Sequence, residues 1–181
     1  MNTSLATLGV AVLALVPMIA EPRTMNDTPG PPAAAGVGEL VRSVYELVSF
    51  PVGTVPDWDA LRATMLEDAL IVQPLPGGKN VHTLTVDGFV QLFIDDIEEH
   101  KLSEKGFHET VISVETSTFG NIAHAYVVFE VAVGGSDRRN RGLDSFQLVR
   151  KDGIWKIASI ATQFERAGRP LTKRFLEPAA R

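Results

Sequence analysis

The chain of 181 residues contains no cysteine. This absence excludes disulfide bonds, thiol nucleophiles and cysteine-ligated zinc, although it does not identify the compartment. Basic residues are also in the minority: 17 Lys and Arg stand against 22 Asp and Glu, which gives a net charge of −5. This balance argues against a broad nucleic-acid-binding surface, because such a surface needs a basic excess. With 45% hydrophobic and 22% charged residues, the composition is that of one globular domain.

No apolar run near the N-terminus is long enough to cross a bilayer. Residues 5–16 are uncharged and largely apolar, but a membrane helix needs ~20 such residues, and a run of this length suits the core of a signal peptide. We expect residues 1–20 to be a signal peptide and residues 21–37 to be a flexible linker. The mature protein would then be exported or periplasmic, with no membrane attachment after removal of the leader. Translation starting at Met18 or Met25 is the alternative, and it would leave the protein in the cytoplasm.

Helical periodicity dominates the first part of the remaining chain. Apolar residues recur at helical spacing between residues 40 and 48, and Pro51 ends this first helix. Asp57 and Thr85 are the predicted N-caps of a second and a third helix. Between these caps, residues 69–72 and 81–84 are predicted to form two short strands around a turn rich in Pro and Gly.

From Phe107 onward the period of the hydrophobic pattern changes to two. This alternation predicts four strands, at residues 107–118, 121–133, 142–150 and 154–164. The sequence therefore predicts an α+β fold at residues 38–165, in which helices cover one face of a curved antiparallel sheet. Residues 166–181 show no clear period, and we expect them to run over the surface as a C-terminal tail.

Four sequence segments carry a resemblance to a known family. They are GFHE at 106–109, FGNIAHAY at 119–126, RGLDSFQL at 141–148 and DGIWKIASI at 152–160. In these segments the chain resembles the nuclear transport factor 2-like, or SnoaL-like, superfamily, and within it a group of uncharacterised bacterial members. The resemblance implies a cystatin-like cone, in which the sheet wraps around the long helix, with a pocket at the open end and frequent dimerisation through the outer face of the sheet. It implies no catalytic residues, because the acid pairs of the ketosteroid isomerase and epoxide hydrolase members have no counterparts that we can place here.

Side-chain alternation along the strands predicts which residues face the pocket. On the last strand Lys156 marks one face as outer, so the opposite face is assigned to the interior. On the preceding strand the face that carries Asp144 is also assigned to the interior, because its other members are large and apolar. Aromatic residues of the helices would close the pocket from the other side. The predicted pocket residues are Trp58, Phe93, Phe146, Trp155, Ser159 and Gln163.

A candidate catalytic group depends on the orientation of strand 121–133, both of whose faces are apolar enough to be buried. If His124 and Tyr126 point inward, they would meet Asp144 near the pocket mouth. A carboxylate beside an imidazole fixes its tautomer and raises its basicity, as a general base requires. In the alternative interpretation, His124 is a structural, half-buried histidine and Tyr126 is an interface aromatic.

The predicted pocket, together with what the resemblance implies, leads us to expect a protein that binds a small apolar molecule. It would act as an isomerase, dehydratase or cyclase without a cofactor; the alternative is a non-catalytic ligand carrier or dimerisation domain. No bound metal is expected, because His82, His100 and His108 lack the close spacing of metal ligands. The acidic residues of the third helix, Asp95, Asp96, Glu98 and Glu99, are interpreted as a solvated surface. A homodimer is expected, because Ala158, Ile160 and Phe164 would leave an apolar outer face.

Overall fold

A computed structural model describes residues 36–75, 80–136 and 139–177. The predicted leader and all but the last two residues of the predicted linker lie outside these ranges. The helices are α1 (Val37–Val48), α2 (Trp58–Ala63), α3 (Val86–Glu99), α4 (Leu102–Lys105) and α5 (Lys173–Leu176). The strands are β1 (Met65–Pro74), β2 (Val81–Thr85), β3 (Phe107–Phe119), β4 (Ile122–Val133), β5 (Arg139–Lys151) and β6 (Ile154–Phe164). None of the helices in these ranges has the length and hydrophobicity needed to cross a bilayer.

The two predicted N-cap residues, Asp57 and Thr85, cap their helices in the structure. The side chain of Asp57 accepts a hydrogen bond from the backbone N–H of Ala60 at 2.9 Å, and Thr85 caps α3 by accepting from the N–H of Gly88 at 3.1 Å. Each cap satisfies one of the backbone donors that a helix leaves free at its N-terminus. The two caps therefore fix where α2 and α3 begin.

The six strands form one sheet in the order β2-β1-β6-β5-β4-β3. All neighbouring pairs are antiparallel except β1 and β6, which are parallel. The long antiparallel meander from β3 to β6 agrees with the four predicted strands. The parallel pair was not predicted, because β1 and β6 are separated by most of the domain and no turn between them signals their pairing.

The concave face of the sheet packs against α1, α2 and α3 and holds the core. The residues that β4 and β5 contribute to this face alternate strictly: Ala123, Ala125, Val127, Phe129, Phe146 and Leu148 are all buried. Asp144 shares this face and is only 6% exposed, which makes it the one buried acidic residue within the described ranges. The predicted inward orientation of the Asp144 face is therefore confirmed.

Strand β6 changes faces at a β-bulge. Its pairing with β5 passes from Gln147–Ser159 to Leu148–Ile157, so Ala158 is the extra residue. One inserted residue reverses the side-chain alternation beyond it. Ile157 faces the core before the bulge, whereas Ile160, Thr162 and Phe164 face inward after it.

The bulge corrects the basis of the predicted homodimer. Ile160 is 7% exposed and Phe164 packs edge-on against Phe129 at 5.6 Å, so neither residue lies on the outer face as expected. The convex face is instead partly covered by α5, where the hydroxyl of Ser113 donates to the carbonyl of Phe175 at 2.6 Å. The dimer itself stays a prediction that no contact between copies tests.

Candidate functional site

The concave face and the helices enclose a cavity of about 530 Å³. Most of its lining is apolar, and aromatic rings from both the helices and the sheet contribute to it: Tyr45, Phe89, Phe93, Phe107, Phe129 and Phe164. Polar residues also line it, among them Tyr45, Glu109, Asp144 and Thr162. An apolar cavity with a few polar groups is the common form of a small-molecule site.

Tyr45 and Asp144 form the tightest polar contact in the cavity. The Tyr45 hydroxyl on α1 donates to Oδ2 of Asp144 on β5 at 2.6 Å, and both side chains are buried. Burial and the adjacent carboxylate raise the pKa of Tyr45 above its usual range, so the phenol stays protonated and acts as a donor. The second oxygen, Oδ1 of Asp144, has no hydrogen bond of good geometry from a described residue, and the hydroxyl of Thr162, which pairs with Asp144 across β5 and β6, is a nearby donor to this carboxyl.

The two carboxyl groups in the cavity both have raised pKa values. Burial raises the pKa of Asp144 to about 6, against the effect of the nearby Tyr45 and Thr162 hydroxyls, which favour the carboxylate. For Glu109, burial and then the charge of Asp144 raise the pKa to about 8. Because both pKa values are raised, the pair favours holding a proton near neutral pH, and the larger shift is that of Glu109. Such a pair contains both an acid and a base.

The Ser49 hydroxyl links α1, which carries Tyr45, to β3, which carries Glu109. Ser49 follows the last residue of α1, and its hydroxyl donates to the carbonyl of Tyr45 at 2.6 Å. The same oxygen accepts from the backbone N–H of Glu109 at 2.9 Å. Next to this bridge, Phe50 and Phe107 exchange backbone hydrogen bonds at 2.8 and 2.9 Å. The end of α1 is thereby fixed to the beginning of β3.

Gly142 makes room for an aromatic wall of the cavity. The Phe129 ring lies across the backbone of this glycine, and a Cβ atom added there would stand 2.5 Å from Cζ of Phe129. Phe129 also packs against Tyr45, with ring centroids 5.5 Å apart. A side chain at position 142 would therefore have to displace the ring.

The mouth of the cavity is polar. Asp96, His100 and Lys105 line it, and the Lys105 ammonium donates to the His100 carbonyl at 2.7 Å. Asp96, Glu99 and His100 also bring possible ligand atoms within 4.8 Å of one another. Since exposed acidic groups of this kind are common without an ion, this cluster alone does not indicate a metal. The expectation of no metal and no cofactor stays a prediction.

Two of the sequence-predicted residues, Asp144 and Phe93, line the cavity. Three others lie behind its wall. Trp58 packs edge-on against Phe93 at 5.5 Å, Phe146 is fully buried in the core, and Trp155 is buried beneath the guanidinium of Arg150. These three support the cavity rather than line it.

The remaining predicted residues lie on the convex face. Ser159 and Gln163 are there because the bulge at Ala158 reverses the alternation of β6. His124 and Tyr126 lie opposite Gln147 and Ser145, away from the Asp144 side.

His124 has its own neighbours on that convex face. Its Nε2 is 3.0 Å from Oγ of Ser145, and its ring packs edge-on against Tyr126, with centroids 4.3 Å apart. Because the sheet separates His124 from Asp144, the hypothesis that they act as one acid–base pair is not supported. The interpretation of His124 as a structural, half-buried histidine fits these contacts.

Sequence reasoning missed Tyr45, Glu109 and Thr162 as site residues. Tyr45 stood in the apolar stripe of the first helix, where it was counted as core. Glu109 shares its strand face with Phe107 and Val111, and an acid within an inward-facing alternation was the signal that could have identified it. Thr162 was assigned to the outer face, because the bulge was not recognised.

The element order, the curved six-stranded sheet and the cavity define the nuclear transport factor 2-like, or cystatin-like, fold. Solved structures of this class resemble the chain at low sequence identity. An NTF2-like protein of unknown function from Pseudomonas putida KT2440 covers 75% of this chain and 90% of its own, with 9% identity and a TM-score of 0.56. A protein of unknown function with a cystatin-like fold from Nostoc punctiforme covers 72% of this chain and 90% of its own, with 12% identity and a TM-score of 0.56.

An NTF2-like protein from Novosphingobium aromaticivorans covers 68% of this chain and 76% of its own, with 16% identity and a TM-score of 0.53. Neither a protein-family model nor a curated protein matches the chain. The likeness therefore confirms the predicted fold, and the function has to be argued from the cavity itself.

Proposed function

We propose that the chain binds a small, largely apolar molecule in the cavity and catalyses proton transfer on it without a cofactor, as an isomerase or dehydratase does. The observation that carries this proposal is the pair of carboxyl groups, Glu109 and Asp144, inside one apolar cavity. A carboxyl group removed from water costs stability, so the presence of a buried Asp144 and a half-buried Glu109 with no buried cation among the described residues favours a functional role.

The chemical roles follow from the protonation states. Glu109, with a pKa of about 8, can donate a proton at neutral pH, whereas the Asp144 carboxylate can accept one. The Tyr45 hydroxyl holds Asp144 in place and stabilises its charge through the 2.6 Å hydrogen bond. An acid and a base in one site are what an allylic proton shift or the elimination of water requires.

The experiment begins with native mass spectrometry to identify small molecules that purify with the protein. The molecule found is then incubated with the protein in D₂O, and deuterium incorporation at its carbon atoms is followed by NMR. We expect exchange with the wild-type protein and with Glu67→Gln, an exposed glutamate on β1 that serves as the matched control. Glu109→Gln and Asp144→Asn should each lower the exchange rate at least about a hundredfold.

The ligand-carrier alternative makes a different prediction in the same experiment. A carrier would bind its ligand unchanged, with no exchange above the rate in buffer. That result, obtained for a molecule that binds stoichiometrically in the cavity, would contradict the catalytic proposal and favour the carrier.

A further inference from the structure

The carboxyl group of Glu109 lines the cavity without a hydrogen-bond partner of its own. Glu109 is half-buried, so a molecule in the cavity can reach it. Within the described ranges its hydrogen bonds are made by its backbone, which pairs with the hydroxyl of Ser49. Phe107 and Val111 share its strand face, and Val131 lies opposite on β4. The carboxyl group therefore belongs to an apolar part of the cavity wall.

The described residues supply no positive charge to the interior of this cavity. Lys105, which lines the mouth, is exposed and donates to the carbonyl of His100 at 2.7 Å. Asp144 adds a second acidic group to the interior, and Asp96 adds a third at the mouth. The arginines of β5 stand on the other face of that strand and pair with glutamates: Arg139 with Glu130, and Arg141 with Glu165. The lining is therefore acidic, and its acids lack a cationic partner.

We infer that the ligand of this cavity is a largely apolar molecule with a basic nitrogen, an amine or an imine, and that this nitrogen binds as a cation against the carboxylate of Glu109. Buried charges in proteins are normally paired, and here the ligand supplies the missing partner. The inference rests on the proposed function in so far as both place the ligand at Glu109. It adds the ligand class and the group that recognises it.

The proton of Glu109 has a defined destination when such a ligand binds. Burial and the charge of Asp144 raise the pKa of Glu109 to about 8, so the free protein carries this proton at pH 7. If the ligand arrives neutral, the O–H bond of Glu109 breaks and an N–H bond forms on the ligand. If it arrives as a cation, the proton passes to the solvent. Both routes give an ion pair, and on an imine the positive charge also makes a neighbouring C–H group more acidic, which suits the proposed proton transfer.

The aromatic side chains of the lining suit a cation that is attached to a ring. Phe93 and Phe107 meet edge-on at 5.2 Å, and the rings of Tyr45 and Phe129 lie 5.5 Å apart in the same lining. Aromatic rings pack favourably against other rings, and their faces attract cations. We therefore choose two-ring probes that differ at a single ring position.

The test compares 1,2,3,4-tetrahydroisoquinoline, isochroman, 2-tetralone and tetralin, which carry an amine, an ether oxygen, a ketone and a methylene group at the same ring position. Binding to the full chain is measured by calorimetry at pH 7 in two buffers with different heats of ionisation, which also counts the protons released. The amine should bind roughly ten- to hundredfold more tightly than the other three and release about one proton per molecule bound. Equal binding of the four molecules would overturn the inference, as would tighter binding of the ketone or the ether, or no binding of the amine.

A variant locates the ion pair. Glu109→Gln keeps the shape of the wall but removes the charge, so it should bind the amine at least about tenfold more weakly, release no proton, and bind tetralin as the wild type does. The control is Glu115→Gln, which changes a glutamate of the same strand on the convex face, opposite Tyr126, and should behave as the wild type.

An amine preference that survives in folded Glu109→Gln would overturn the assignment to Glu109, as would amine binding to the wild type without proton release. If the variant does not fold, the four molecules and the proton count on the wild-type protein still decide the inference.

The two proposals can fail separately. Binding of the ketone or the hydrocarbon in preference to the amine contradicts the ligand inference, while deuterium exchange on the co-purified molecule would still support catalysis. A preference for the amine with proton release but no deuterium exchange contradicts the catalytic proposal and leaves the ligand class intact.

Discussion

Replacing Glu109 with Gln removes an ionisable group from the cavity and should stabilise the fold at alkaline pH. Folding raises the pKa of Glu109 from its ordinary value of 4.5 to about 8. Between these values the folded state binds more protons than the unfolded state, so the free energy of unfolding falls as the pH rises. Glu109→Gln lacks this dependence, since the amide does not titrate.

The size of this stability difference follows from the two pKa values of Glu109, in the unfolded and in the folded state. One titrating group changes the free energy of unfolding by roughly 1.4 kcal/mol per pH unit between them, which sets an upper limit of about 5 kcal/mol. Glu109 is half-buried beside an open cavity, so water screens part of this effect, and we expect about 2–4 kcal/mol. The variant should therefore match the wild type near pH 4 and exceed its stability by this amount near pH 9.

Urea unfolding followed by circular dichroism between pH 4 and 9 measures this difference. Groups that titrate in both proteins cancel in the comparison, and the exposed Glu67→Gln should follow the wild-type curve. Parallel curves for the wild type and Glu109→Gln would refute the conclusion that folding holds a proton on Glu109.

Three further predictions test neighbouring features. Ser49→Ala removes the hydroxyl that links α1 to Glu109 and leaves the backbone N–H of Glu109 without its partner. The free energy of unfolding in urea should fall by about 1–2 kcal/mol. Ser49→Thr keeps the hydroxyl and should retain most of the stability. Gly142→Ala forces the Phe129 ring to move and should cost about 1–3 kcal/mol in urea unfolding; unchanged stability would contradict the position of that ring. The chain should sediment as a dimer at micromolar concentration, and a monomer would contradict the predicted association.

The sequence determined the fold more fully than the site. The helix caps at Asp57 and Thr85 and the period-two alternation from Phe107 are local signals, so the elements could be predicted from neighbouring residues alone. The bulge at Ala158 has no such signal, because Ala fits either face of a strand, and it displaced Ser159 and Gln163 from the predicted pocket.

The hydrogen bond between Tyr45 and Asp144 could not be predicted from the sequence for a related reason. Tyr45 and Asp144 are 99 residues apart in the chain, and only the packing of α1 on the sheet brings their side chains together. The orientation of β4 was equally undetermined, since both of its faces are apolar.

Site-specific ¹³C NMR of the Glu and Asp side-chain carboxyl groups measures the central claim most directly. The account predicts that one glutamate titrates near pH 8 and one aspartate near pH 6, and that Glu109→Gln and Asp144→Asn remove these two signals. Titration of Glu109 and Asp144 in the ordinary range near pH 4 would contradict the claim, because the cavity would then hold two ordinary carboxylates and no acid at neutral pH.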